Sequence, residues 1–145
     1  NGSSTQIKFK IKYPQDWNNM DVTSTIFAAV RPLENKNQQF KENVNIVTEH
    51  VKDMDLKAYT HASKQNLNRV LNNYKELSTK YLDIGGNKFS RTIFQHNRQN
   101  LQLQVATYLI IHEGIGYVIT CTSTEDNFDE YRSLFKKIVK SFEVG

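Results

Sequence analysis

A single cysteine, Cys121, occurs in 145 residues, so no intramolecular disulfide can form and a zinc-type Cys-x-x-Cys arm is absent. The thiol count therefore leaves the redox compartment open. No apolar run approaches the roughly 20 residues that a membrane-spanning helix needs. Glycine is sparse. Its two internal clusters, Gly85-Gly86 and Gly114-x-Gly116, do not lead from a strand directly into a helix, which excludes a phosphate-cradling loop. Four histidines are present, His50, His61, His96 and His112, but no two stand at the i, i+4 spacing of a helical zinc motif. No internal repeat, low-complexity tract or domain-splitting linker interrupts the chain.

What is present suits a globular domain. With 38% hydrophobic and 23% charged residues the chain is far from the composition of disorder. A chain of about 150 residues buries roughly 68–70% of its unfolded surface, so one domain, residues 7–145, folds without a metal or disulfide. The opening stretch, Asn1 followed by Gly2-Ser3-Ser4-Thr5-Gln6, reads as a flexible linker after a processed signal or lipid-bearing residue, or as a cloning remnant. Nineteen Lys and Arg against fifteen Asp and Glu give a formal charge of +4 and a pI near 9.1. This mild basic bias accommodates an anionic partner without demanding one.

From Ile7 to Tyr13 the residues alternate, Ile7, Phe9, Ile11 and Tyr13 on one face and Lys8, Lys10 and Lys12 on the other, which predicts a half-buried strand ending at Pro14. Further strands are expected over Thr25 to Val30 and Val44 to His50, with a polar loop over Glu34 to Lys41 between them. Between Asp55 and Tyr74 the apolar period changes. Leu56, Tyr59, Ser63, Leu67, Val70, Leu71 and Tyr74 form a helical stripe that Asp53 or Asp55 caps. Four strands follow, over Tyr74 or Glu76 to Ile84, Lys88 to His96, Leu101 to His112, and Tyr117 to Thr122. Gly85-Gly86, Asn97 to Asn100, and Gly114 with Gly116 supply the turns. A helix from Asn127 to Phe142 closes the chain, its apolar face running from Phe128 to Phe142, with Asp126 as the expected cap. Acidic residues at its start and lysines at its end match the helix dipole. The sum is an α+β domain on an antiparallel sheet.

The early strand leading into Tyr13-Pro14-Gln15-Asp16-Trp17, the middle helix, the run of hairpins, and Phe128-Asp129-Glu130-Tyr131 followed by Ile138-Val139-Lys140-Ser141-Phe142 resemble the PsbP-like superfamily. That superfamily is named for an extrinsic photosystem II subunit and is widespread among bacterial proteins of unknown role. The resemblance runs from about Ile7 to Val144. It implies an α/β/α sandwich whose mostly antiparallel sheet of six or seven strands carries helices on both faces. It further implies a non-enzymatic binding or assembly protein, exported or lipid-anchored, and a structural role for Trp17. Photosystem contacts are not carried over, because no residue here matches them.

Each candidate for chemistry has a structural explanation beside it. Cys121, within the β-branched run Ile119-Thr120-Cys121-Thr122, fits a buried inert thiol better than a nucleophile. Glu125, Asp126, Asp129 and Glu130 fit dipole compensation better than paired catalytic carboxylates. His96 and His112 close strands near turns, where an exposed imidazole is expected. Lys8, Lys10 and Lys12, with Arg31, Lys36 and Lys41, can form a basic patch for a membrane surface, nucleic acid or acidic protein; lysines guarding an exposed strand explain them better. Nucleic acid is disfavoured because Phe9 and Tyr13 point away from the lysines. Tyr108 and Ile110 alternate with Gln102 and Gln104 on a partly apolar sheet face that a helix covers or that stays a shallow groove.

The candidate interaction surface is therefore Lys8, Lys10, Lys12, Trp17, Arg31 and Tyr108, with no catalytic, cofactor or metal residue assigned. The function read from the sequence is a non-catalytic accessory protein, extracytoplasmic, binding a protein or cell-envelope component, with peripheral membrane association allowed. Its alternatives are a small-ligand or lipid carrier with a pocket between sheet and helix, then a metal-dependent or hydrolytic enzyme.

Overall fold

In the computed structural model, residues 8–33 and 40–145 are described. The expectations for residues 1–6, Ile7, Lys36 and most of the Glu34 to Lys41 loop lie outside them. The elements run β1 (Phe9–Lys10), β2 (Asn18–Asn19), β3 (Phe27–Val30), β4 (Asn43–His50), α1 (Leu56–Val70), β5 (Asn72–Ile84), β6 (Asn87–Arg98), β7 (Leu101–His112), β8 (Ile115–Thr124), α2 (Phe128–Lys140) and β9 (Glu143–Val144). Seven strands form one antiparallel sheet in the order β2-β3-β4-β8-β7-β6-β5, and β1 pairs with β9 in a separate two-stranded sheet. Short turns join β5 through β8, so these strands are neighbours in both sequence and space. Gly85 and Gly86, at φ 58° and 84°, make the first of those turns in the left-handed region that glycine enters freely.

The two helices lie on opposite faces. From β7, Ala106, Tyr108 and Ile110 join Phe128, Phe135, Ile138 and Val139 of α2, with Tyr117, Ile119 and Cys121 of β8 completing that core. The alternate residues Leu109, Ile111 and Val118 meet Leu56 and Tyr59 of α1. The partly apolar face carrying Tyr108 is thus covered by a helix. Full burial of each large α2 side chain contributes about 1.5–3 kcal/mol, enough for four of them to hold a helix of three to four turns on the sheet.

Several boundaries differ from the periodicity. The helix α1 stops at Val70, which is exposed, and Tyr74 belongs to β5, where its ring packs on Phe94 at 5.1 Å. Its extended neighbours mimic a helical stripe by coincidence of spacing. The N-cap is Asp55, which accepts from the Ala58 backbone N–H at 2.7 Å, whereas Asp53 sits at φ 60° in the preceding turn. Asp126 does not cap α2. It lies in a 3-10 turn, Glu125–Asn127, so the helix begins at Phe128 behind Asn127, whose side chain makes no capping bond. The first strand pairs over only Phe9–Lys10, because its partner, β9, has two residues. Asn18–Asn19, expected only to end a strand, itself pairs with Val30 and Ala29.

Gly116 is the clearest departure, since it belongs to β8 and not to the turn at Glu113 and Gly114. A Cβ placed there would come within 2.5–2.8 Å of the Tyr59 ring and hydroxyl, so the missing side chain is what lets α1 approach the sheet. At the other side, Arg31 and Glu42 form a buried ion pair, Nε donating to Oε1 at 2.6 Å. The remaining donors of Arg31 reach the Pro32 and Phe40 carbonyls, and Ser123 donates to the other Glu42 oxygen at 3.4 Å. The guanidinium also stacks 5.8 Å from the Tyr131 ring centroid, tying this corner to α2.

Two outcomes follow for stability. Glu42→Ala removes the carboxylate of this buried ion pair and is expected to cost about 3–5 kcal/mol in urea unfolding, while Arg31→Met with Glu42→Leu recovers most of that loss. Gly116→Ala is expected to cost about 1–3 kcal/mol, and to combine less than additively with Tyr59→Leu in the same assay.

Candidate interaction surface

The six residues singled out from the sequence divide in two. Lys8, Lys10 and Lys12 are exposed, and Phe9, Ile11 and Tyr13 between them pack on the core, as alternation requires. Trp17, Arg31 and Tyr108 are instead 6%, 6% and 2% exposed and cannot be surface contacts. Trp17 fills the core cluster, Arg31 is consumed by Glu42, and Tyr108 lies beneath α2 beside Arg91. Burial, the largest influence, pushes the Tyr108 phenol up, with the Arg91 interaction opposing it. Lys41 is exposed just before β4.

What joins the lysine row is the C-terminal end of α2. The Lys12 backbone N–H donates to Ser141 Oγ at 2.7 Å, the Ser141 hydroxyl lies 2.6 Å from the Ile138 carbonyl, and the Gly145 N–H donates to the Lys8 carbonyl at 3.1 Å. The two chain segments thereby enclose an open cleft of about 310 Å³. Tyr13, Pro14, Leu134 and Ile138 give it an apolar floor, and Lys12, Lys137 and Ser141 complete its lining. From the sequence Lys137 reads only as a partner of the helix dipole. Its other neighbours became visible only once residues 129 positions apart were brought together.

A second groove, of about 460 Å³, opens between α1 and the sheet, where Val47, Val51, Met54, Leu67 and Val118 alternate with Glu49, His50, Tyr59, Ser63 and Asn66. The Tyr59 hydroxyl makes no well-formed hydrogen bond among the described residues. It lies near enough to the Glu49 carboxylate for that acceptor and its charge to add to burial, the main cause, in pushing the phenol up. A shallower recess of about 570 Å³ lies beside the exposed Tyr81, lined by Asp55, Lys57, Ala58, His61 and Lys64.

The reactive groups do not converge. Cys121 is fully buried under α2, and burial pushes its thiol well above the ordinary range, so it stays protonated. His50 and His61 are exposed on separate elements, and the His112 Nε2 lies 3.8 Å from Glu113. His96 is half-buried against Phe94 and not free in solvent; burial lowers its pKa, the Arg98 charge acts in the same sense, and a backbone hydrogen bond at Asn97 opposes them. Among the described residues no group of three or more His, Cys, Asp or Glu side chains is placed to hold a metal ion. Of the acidic cluster, Glu125 accepts from Gln95 at 3.1 Å and Asp129 pairs with Arg132, which are structural uses.

This arrangement of a seven-stranded antiparallel sheet with a helix on each face is a PsbP-like fold. Solved structures that share it include the cyanobacterial PsbP protein of Synechocystis sp. PCC 6803, at 15% identity and TM-score 0.68 over 100% of this chain and 96% of that one. LpqN, involved in cell envelope biogenesis of Mycobacterium tuberculosis, matches at 13% identity and TM-score 0.72 over 99% and 86%. A Pseudomonas aeruginosa protein of unknown function matches at 12% identity and TM-score 0.63 over 97% and 85%. The DcrB family model matches residues 10–141, and the chain belongs to the DcrB family. Among curated proteins, no sequence matches. No helix among the described residues is long and apolar enough to cross a membrane.

The buried acids set a pH dependence. Cys121 and Tyr59 ionise near their ordinary values of 9.0 and 10.0 once unfolded, but not in the folded protein. The unfolded state therefore loses protons first, so stability is complete below about pH 9 and falls above it, by up to about 1.4 kcal/mol per pH unit for each group. Urea midpoints measured across that range are expected to decline, and Cys121→Val to flatten the first part of the decline.

Proposed function

We propose that this protein is a non-catalytic accessory protein, exported and held at the cell envelope, that acts by binding a protein or envelope component. The observation that carries this reading is the disposition of its reactive groups. The single thiol is sealed in the core and the histidines are scattered, while the surface offers open clefts beside both helices. Open clefts on an otherwise exposed surface leave room for contact with a large partner. The shared fold of LpqN, a protein involved in cell envelope biogenesis, supports the same setting.

A specific observation favours a second reading, a small-ligand carrier. The groove under α1 combines an apolar lining with a few converging polar groups, among them the poorly bonded Tyr59 hydroxyl. Photo-crosslinking residues placed at Ala62 in that groove, at Lys137 and at Leu77 on β5 separate the two in the source cell. The accessory reading expects a protein adduct confined to one or two positions, in the envelope fraction. Adducts at none of them, together with a co-purifying small molecule that raises the melting temperature, would favour the carrier.

A further inference from the structure

The seam between the N-terminal strand and α2 concentrates the charge of the whole molecule. Residues 8–14 and 134–145 hold six lysines, Lys8, Lys10, Lys12, Lys136, Lys137 and Lys140, and one acidic residue, Glu143. Their local excess of five positive charges exceeds the +4 of the full chain, so the rest of the protein is slightly acidic. Lys136, Lys137 and Lys140 are exposed on the last turns of α2, and the Ser141 bonds hold the Lys12 backbone against that end.

We propose that this seam docks the protein on an anionic phospholipid surface. Lys12 and Lys137 meet lipid phosphates, and the cleft floor of Tyr13, Pro14, Leu134 and Ile138 takes the apolar layer directly beneath them. The cleft, about 310 Å³, is small for a whole lipid but has the right order of polarity for one: ammonium groups at the rim, apolar side chains below. A row of lysines is the usual feature of attraction to an anionic leaflet, where each contributes independently of exact geometry.

The composition also separates this partner from the others that positive charge attracts. Protein interfaces are enriched in arginine and depleted in lysine, and bidentate carboxylate recognition uses the arginine fork; the seam contains no arginine. Single-stranded nucleic acid needs exposed aromatic platforms. Here Phe9 is turned inward onto Phe27 and Phe142, and Tyr13 onto Phe27.

This inference deepens the envelope reading and rests on it for access to a lipid surface, but its test does not depend on that reading. The whole chain is sedimented with vesicles of phosphatidylcholine alone and of phosphatidylcholine with phosphatidylglycerol. Binding is expected only to the second, weakening as salt is added. At about 1 kcal/mol per lysine, neutralising one costs roughly five-fold, and Lys12→Gln with Lys137→Gln roughly thirty-fold. Lys75→Gln with Lys80→Gln, on β5, removes the same charge away from the seam and is expected to leave binding nearly unchanged. Leu134→Gln, with charge intact and the fold checked by its melting temperature, is expected to weaken binding several-fold.

The proposal is overturned if the folded protein ignores anionic vesicles, or if both lysine pairs weaken binding equally. It also falls if vesicles are ignored while the Lys12 and Lys137 changes abolish a protein adduct, which would make the seam a protein dock. In each of these cases a protein adduct at Ala62 or Leu77 would leave the accessory reading standing.

Discussion

Strand β7 is buried on both faces along its central stretch, and a strand of that kind can persist in water only if something covers each side. From Leu103 to Ile110 every residue is buried. The alternating side chains send Tyr108 and Ile110 to α2 and Leu109 to α1, and β6 and β8 pair along its two edges. The rest of the architecture answers this constraint. α2 supplies four buried side chains to one face, and α1 reaches the other closely enough that Gly116 has no room for a Cβ. An antiparallel sheet often leaves one face wet, but this one does not in its centre.

The same two-sided cover explains why the chemistry is quiet. Cys121 on β8 faces α2 and is lost to solvent, and the Arg31 charge is spent inside the structure on Glu42. What remains outside is the sheet's periphery: the grooves where a helix meets a strand at an angle, and the free edge of β5. That edge is long, but register shifts near Lys75 and Ser78 and the exposed lysines Lys75 and Lys80 make it a poor template for another strand. The open recesses lie in the α1 groove and at the seam by the end of α2.

That seam exists because β1 meets the segment that follows α2. β1 pairs with β9, and Ser141 bridges the Lys12 backbone to the last turn of α2. Lysines that would be a solvated face on either segment are brought together, Lys12 and Lys137 on one cleft, only in the closed fold.

Much of the fold was legible beforehand, because burial imposes a period. The alternation in β7, the hairpin glycines at 85 and 86, and the Phe128 to Phe142 stripe each follow from local geometry and pointed to the observed elements. The periodicity carries the helical stripe past Val70 to Tyr74, although a strand from Tyr74 is equally compatible with it, since an extended segment can place apolar residues at helical intervals; Gly116 reads as a turn residue because its close neighbour lies 57 positions away. Arg31 and Tyr108 read as candidate surface, and Trp17 as either surface or structural plug, for the same reason: exposure depends on what covers a residue, and composition does not say. Sequence alone determined the types of the long elements, the unpaired thiol and the net charge, but not the two-residue strands at Asn18–Asn19 and Glu143–Val144. Tertiary structure decided which charges gather, which aromatics are sealed, and where an apolar cleft opens beside lysines, because each of these is a relation between segments distant in the chain.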